Sequence, residues 1–333
     1  MSNLKVLVIG YGSIGKRHTN NLMKLNKVEI SVCSKNKETS QLANKGITIY
    51  TSINQALKNK FDVGFICNET NLHIETAIKL AKHNQHIFLE KPLSNSLKNI
   101  PTLFKLINKK KLITMIGCNM RFHEGIKLMK NMLDKQEIGK IISASVENGS
   151  YMPDWHPGED YRISYASRKK LGGGVVLTQI HEIDYLYWFF GKVNEVFAIT
   201  GKMSDLDIDV EDYCKSLLKF KNKILVDLHL DYFQKPSKRT CRIIGTKGQI
   251  LWNWENNHVQ IYKNSNKKWI TKKIDKNMDR NKMYVDELKY FLKCIKKNEI
   301  PMNSIIDAIE PQKIALAIKQ SAEKEQKIKL NYL

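Results

Sequence analysis

The first third of the chain alternates two hydrophobic patterns. Nearly unbroken apolar runs at residues 4–9, 28–33, 47–50, 63–67, 87–89 and 112–116 read as strands, and continuous apolar strands are what a parallel sheet buried on both faces requires. Between them, apolar residues recur at helical spacing through Leu22 and Leu25, and over 38–45, 53–59, 73–83 and 97–108. This strand–helix rhythm predicts an α/β, doubly wound parallel sheet.

From Ile141 the pattern changes to short alternating strands at 141–150, 193–200, 212–220, 224–233, 239–245 and 249–254. In 224–233, Ile224, Val226, Leu228, Leu230 and Tyr232 share one face, and Leu225, Asp227, His229, Asp231 and Phe233 share the other. Such alternation predicts an α+β domain with a large, open, mainly antiparallel sheet packed on one face. The mixed second face is either solvated or meets another subunit, and its apolar and aromatic members favour the interface. Residues 175–190 are periodic after three glycines and end at Gly191, a natural helix stop. Amphipathic helices are expected at 283–295 and 304–327, packing back across the first domain. At 333 residues the chain is long enough for about two domains. The expected organisation is 1–120, 121–302 and a closing helical segment at 303–333.

Composition narrows the function classes. With 42% apolar and 26% charged residues the chain can bury a core. It has no apolar run long enough to span a membrane, and the opening MSNLKVLVIG lacks the plan of a signal peptide. A cytoplasmic protein is expected. Cys33, Cys67, Cys118, Cys214, Cys241 and Cys294 are scattered without ligand spacing, so neither a metal site nor a disulfide framework is expected. The net charge of +22 is spread along the chain with no aromatic-interleaved basic stripe. Nucleic acid is therefore not the expected partner, although a basic field favours anionic small molecules.

Three segments carry chemistry. Gly10-Tyr11-Gly12-Ser13-Ile14-Gly15 lies between the first strand and its helix, where a GxGxxG turn lets backbone amides approach a pyrophosphate. At the end of the second strand, where an acid usually binds the ribose diol, the chain has Ser34-Lys35-Asn36. A hydroxyl followed by a cation suits a 2′-phosphate better, so NADP is favoured over NAD, with Asn36 or Glu38 still able to serve a ribose. The loop Tyr161–Arg168 gathers aromatic and guanidinium groups, which suit carboxylate or phosphate or are simply solvated. His181 and Asp184, three apart, share a helix face.

Taken together, Gly10-YGSIGKR-His18, Cys67-NETNL-His73, Glu90-Lys91-Pro92, Asn119-MR-Phe122, Gly172-Gly173-Gly174 with His181-EI-Asp184, and the helical segment from Asn303 resemble the Gfo/Idh/MocA oxidoreductases. The resemblance spans essentially the whole chain. It implies a Rossmann domain, then an α/β domain whose open sheet forms a homodimer or homotetramer. It further implies hydride exchange between a nicotinamide and a hydroxyl- or carbonyl-bearing carbon, usually of a sugar or polyol. Lys91 and His181 are then the catalytic residues, with Glu90 beside the nicotinamide ribose and Pro92 fixing the turn. A lysine desolvated next to a cationic ring can titrate below its usual ~10.4, and imidazole suits acid–base work near neutrality. Cofactor contacts fall on Gly10, Gly12, Ser13, Ile14, Gly15, Arg17, Ser34, Lys35, Asn68, Glu69, Thr70, His73, Glu90 and Lys91. Substrate contacts fall on Arg121, Tyr161, Arg162, Arg168 and Asp184, besides His181.

One departure matters. The family often has an Asp four residues before this His and a Gly two before it, where this chain has Leu177 and Gln179. Lys91 and His181 must then work without that Asp, with Asp184 or Glu182 as helpers. A similar Thr-Gln-x-His-Glu variant is associated with surface-sugar biosynthesis, which points to a phosphorylated or nucleotide-linked sugar. The alternatives are an enzyme that retains its NAD for net elimination or glycoside hydrolysis, and a nucleotide-binding regulatory protein.

Overall fold

The computed structural model describes residues 3–274 and 279–331. The chain forms two compact units, one of Met1–Cys118 with Asn281–Ile309, the other of Asn119–Arg280 with Glu310–Leu333.

The first unit is built on six strands: β1 Leu4–Ile9, β2 Val28–Cys33, β3 Thr48–Tyr50, β4 Val63–Ile66, β5 His86–Glu90 and β6 Thr114–Gly117. They lie in the order β3-β2-β1-β4-β5-β6, and every pair is parallel. The sheet turns both faces inward, as the continuous apolar runs required. Leu7, Ile9, Ile66, Ile87 and Leu89 meet Ile74, Ala77, Leu80, Leu103 and Ile107 of helices His73–Lys82 and Ile100–Lys110. On the opposite face Phe65 stacks on Phe88 at 4.8 Å, and Phe291 of helix Asn281–Lys297 meets both rings edge-on. Truncating one such buried ring to Ala costs about 3–5 kcal/mol. The β6 edge is covered rather than open: the Ile116 N–H donates to the Asn303 carbonyl at 2.9 Å, and Asn303 Nδ2 donates back to the Ile116 carbonyl at 2.7 Å.

The second unit holds a nine-stranded sheet. Its strands are β7 Ile141–Gly149, β8 Val193–Gly201, β9 Tyr213–Phe220, β10 Leu225–Asp231, β11 Lys238–Gly245, β12 Gly248–Asn253, β13 His258–Lys263, β14 Lys268–Lys273 and β15 Ile328–Lys329. They run in the order β14-β13-β12-β11-β7-β10-β9-β8-β15. All neighbours are antiparallel except β10 beside β7. In β10, Val226, Leu228 and Leu230 are buried as their parity predicted. On the other face Phe197, Ile199, Leu217 and Leu225 are exposed.

The structure differs from the expected organisation at several points. Strand β13 buries just Val259 and Ile261, and all six positions of β14 are exposed, so this hairpin was not marked by hydrophobic pattern alone. The helix expected over 175–190 is two helices, Val175–Thr178 and His181–Phe190. Gln179 breaks it with its side chain donating to the Asp231 carbonyl at 3.0 Å. The last long helix is Ile309–Lys324 rather than 304–327. It groups with the second unit, where Ser321 Oγ accepts the Ala198 N–H at 3.0 Å and Lys319 pairs with Glu211 at 2.7 Å. Helix Asn281–Lys297 is the segment that groups with the first unit. Of the expected closing segment 303–333, residues 332 and 333 lie outside the described residues.

Candidate functional site

In the first unit the ligand-facing end of the sheet is shaped by backbone. Gly10 has φ +93°, and a Cβ there would lie 2.6 Å from the Cys67 carbonyl carbon, so the turn after β1 closes directly onto the end of β4. A Cβ on Gly15 would fall on the Gly10 carbonyl oxygen, which seats helix Ser13–Met23 against the turn. Gly12 is different, since nothing lies within 4 Å of its Cβ position. The first and third glycines serve packing, and the second leaves open space at a helix N-terminus that no side chain caps. Uncapped N–H groups beside open space form an anion site. Asn68, just past β4, donates to Thr76 Oγ1 at 3.1 Å. Its Oδ1 is buried without a hydrogen-bond partner among the described residues.

Strand β5 delivers Glu90 and Lys91 beside this turn. Glu90 is buried, with Oε1 held 2.6 Å from His18 Nε2 and Oε2 accepting the Lys91 N–H at 3.2 Å. Lys91 is half-buried. His73 is buried and places both ring nitrogens against carbonyls, Pro92 at 2.8 Å and Asn68 at 3.0 Å. Burial lowers its pKa, opposed by those two carbonyl contacts and by Glu90. His73 therefore ties the Glu90–Pro92 turn to the end of β4. Past β2, Ser34 Oγ accepts the Asn36 N–H at 3.1 Å, and Asn36 Nδ2 donates to the Tyr11 carbonyl at 3.0 Å. Lys35 is exposed, and Glu38 pairs with Lys16.

In the second unit the glycine run positions His181. A Cβ on Gly173 would meet the Tyr165 and Ala166 carbonyls, and one on Gly174 (φ +108°) would meet the Glu211 carboxylate. His181 opens helix His181–Phe190 and is half-buried. Both acids on that helix face inward. Asp184 takes two hydrogen bonds from Arg121, Nε at 2.8 Å and Nη2 at 2.7 Å, with each side chain 1% exposed. Glu182 is fully buried and accepts from Arg239 Nε at 2.7 Å. The Arg239 guanidinium lies 5.6 Å from the Trp254 ring centre. Arg162 is exposed and gripped by Asp160 through Nε at 2.8 Å. Tyr161 is half-buried, its hydroxyl accepting the Asp207 N–H at 3.2 Å. Arg168 is half-buried, and its guanidinium makes no hydrogen bond or ion pair among the described residues.

The "Oxidoreductase family, NAD-binding Rossmann fold" matches residues 4–148, and the "GFO/IDH/MocA C-terminal domain" matches residues 126–251. The chain belongs to the Gfo/Idh/MocA oxidoreductase family. Myo-inositol 2-dehydrogenase of Thermotoga maritima is 27% identical over 342 residues, covering 98% of both chains. Glucose-6-phosphate 3-dehydrogenase of Bacillus subtilis is 22% identical over 268 residues, 77% of this chain and 76% of the relative. Levoglucosan dehydrogenase in complex with NADH has the same fold, with a TM-score of 0.89, 20% identity and 100% of both chains covered.

The residues that the family resemblance picked out therefore sort into two groups. In the first unit, the glycine turn, Asn68 and the Glu90–Pro92 turn come together at the carboxyl ends of β1, β4 and β5, where open parallel sheets bind ligands. The open Gly12 and the unpartnered Asn68 Oδ1 fit an NAD-type cofactor. Thr70 is buried, whereas Glu69 is exposed. Glu90, expected beside a ribose, is buried with its carboxylate engaged by His18. In the second unit, Arg121 and Asp184, expected at the substrate, are buried and paired with each other. Glu182 is likewise buried, and Leu177 is core. Arg162 is occupied by Asp160. Sequence reasoning quoted His18 in the motif without giving it a task and passed over Arg239 altogether. A charge in a strand sequence such as Lys238–Gly245 carries no mark of its partner 57 residues away. Among the described residues no cluster of His, Cys, Asp or Glu is placed to hold a metal ion.

Proposed function

We propose that this enzyme is an NAD(P)-dependent dehydrogenase or reductase acting on a CH–OH or carbonyl carbon of a sugar. The observation that carries the reading is the open Gly12 turn beside a strand end bearing Lys91, whose own N–H is fixed by Glu90. Gly12, Ser13, Ile14 and Asn68 would hold the dinucleotide, which supplies a hydride acceptor or donor when bound. Lys91 and His181 are the proton-handling residues of the proposal, the first carrying the proton of the reacting oxygen. Half-buried Ser34 and exposed Lys35, where an acid usually ends the strand, support NADP.

A phosphorylated or nucleotide-linked sugar is the favoured substrate. The half-buried Arg168 guanidinium is open to an anionic group, and the net charge of +22 draws anions in. The similarity to glucose-6-phosphate 3-dehydrogenase agrees with this choice. We further propose that the exposed apolar face carrying Phe197, Ile199, Leu217 and Leu225 joins subunits. A monomeric mass by light scattering would remove that part.

The test is reduced-nicotinamide absorbance and product analysis with candidate sugars and sugar phosphates, on the parent protein, Lys91→Ala and His181→Ala. Lys91→Ala should abolish turnover while leaving cofactor affinity within several-fold. Activity surviving within about tenfold, ~1.4 kcal/mol of barrier, would take Lys91 out of the role. Product formed with no net change in nicotinamide, on cofactor that survives purification, would favour the non-redox alternative instead.

A further inference from the structure

We propose that the buried His18–Glu90 pair is a positioning device for Lys91, with the Glu90 carboxylate both anchoring the lysine's backbone and holding its side chain in the ammonium form. This rests on the reading of Lys91 as the proton carrier.

A carboxylate enclosed by protein is costly unless its hydrogen bonds are satisfied, and here every neighbour is arranged around it. His18 is 0% exposed and meets Glu90 at 2.6 Å. The imidazole is walled by Phe88 at 5.0 Å, Phe65 at 5.7 Å and Tyr284 at 6.2 Å. From the other side, a Cβ on Gly117 of β6 would lie 2.8 Å from Oε1, so only glycine leaves room for the carboxylate. The second oxygen turns to the Lys91 N–H at 3.2 Å. His18 Nδ1 is buried without a hydrogen-bond partner among the described residues. The arrangement with fewest unpaired donors is therefore Nε2–H donating to the carboxylate, with a lone pair on Nδ1. The pair then carries one negative charge next to Lys91.

The other titratable groups acting on this spot are Cys67 past β4, His73 of helix His73–Lys82, and Tyr284 of helix Asn281–Lys297. Arg17 lies 4.4 Å over the Tyr284 ring, and Glu287 also acts on that phenol. Among them Glu90 is the carboxylate hydrogen-bonded to the Lys91 backbone.

The test reads Lys91 in the free protein, by the pH dependence of trace acylation at the Lys91 peptide in mass spectrometry. Removing a nearby opposite charge should move the Lys91 midpoint down by about one pH unit in Glu90→Gln, roughly tenfold faster acylation on the rising limb. The kcat/KM profile should shift its Lys91 limb in the same direction. His18→Gln keeps a neutral donor against the carboxylate and should leave the midpoint within about 0.3 units. A midpoint unmoved in folded Glu90→Gln overturns the inference, and so does an equal shift in His18→Gln, which would mark general loosening. If Glu90→Gln does not fold, Glu90→Asp gives the same sign of shift at smaller size, and no shift there overturns it. Lys91→Ala distinguishes the two levels. Retained turnover defeats the proton-carrier reading, whereas the acylation midpoints decide the positioning claim alone.

Discussion

Asp184 sits three residues after His181 on the same helix, and two accounts of it make opposite demands on a single substitution. Either it assists chemistry, or it neutralises Arg121. In Asp184→Asn the shape is nearly kept, but the side chain can no longer offer two acceptor oxygens to Nε and Nη2, which now sit at 2.8 and 2.7 Å. One side of the amide presents N–H to N–H, and a guanidinium 1% exposed loses the carboxylate it grips. Breaking a buried pair in this way costs about 3–5 kcal/mol, a large part of the 5–15 kcal/mol that typically holds a domain together. All five tryptophans, among them Trp188 with its ring 5.7 Å from the guanidinium, lie in the second unit. Urea unfolding followed by tryptophan emission therefore reports on that unit. The expected result is a lower midpoint at unchanged slope, with turnover of the folded fraction within about threefold of the parent, a barrier change under ~0.7 kcal/mol. Arg121→Met with Asp184→Leu removes both charges at similar volume and should lie closer to the parent than Asp184→Asn, because the buried guanidinium goes with its carboxylate. A stability within about 1 kcal/mol of the parent combined with a hundredfold loss of turnover would refute the argument and return Asp184 to the chemistry.

Two further outcomes follow from the same coordinates. His123 caps helix Glu124–Asp134, its Nδ1 accepting the Gly125 N–H at 3.1 Å, and burial together with Arg239 and Lys127 lowers its pKa to about 3. Below the unfolded value near ~6.5 the unfolded chain takes up a proton that the folded ring refuses, so stability is full above that pH and falls by ~1.4 kcal/mol per unit beneath it. By about pH 4.5 the loss reaches ~2.7 kcal/mol, and His123→Asn, which keeps an acceptor cap that does not titrate, should lack this part of the slope. Parallel pH–stability curves for the two proteins would contradict it. At the nucleotide end, Lys35→Asp should move the ratio of NADP to NAD affinity toward NAD in direct binding measurements, and an unchanged ratio would remove the 2′-phosphate argument.

How far the sequence could be read depended on whether burial leaves a mark in the pattern. Strands β1 to β6 are apolar because both faces are covered, and each was visible to within about two residues, the usual uncertainty of element ends. The glycine turn was visible because only glycine permits the φ of Gly10 and the close approach at Gly15. Strands β13 and β14 were not, since a lysine-rich hairpin at the end of a sheet needs little apolar surface. The same holds for Gln179, whose break in the helix depends on a carbonyl 52 residues away.

Charged residues were the least legible, for a physical reason. A carboxylate or guanidinium looks the same in a sequence whether it faces a ligand or an opposite charge inside the core, and burial with a partner is the only circumstance that makes the second tolerable. Glu182, Asp184 and Arg121 all proved to be of this kind, and Glu90 is buried against an imidazole, their partners supplied from 57 to 72 residues away. Solvent still reaches Lys91, His181, Arg168 and Lys35. A motif rich in charge is thus divided by its surroundings: the inward members fix the backbone and helix, and the proposed chemistry falls to the few side chains that solvent reaches. If that division is right, substitutions in the first group should appear in stability and in the titration of their neighbours, and substitutions in the second in binding and turnover.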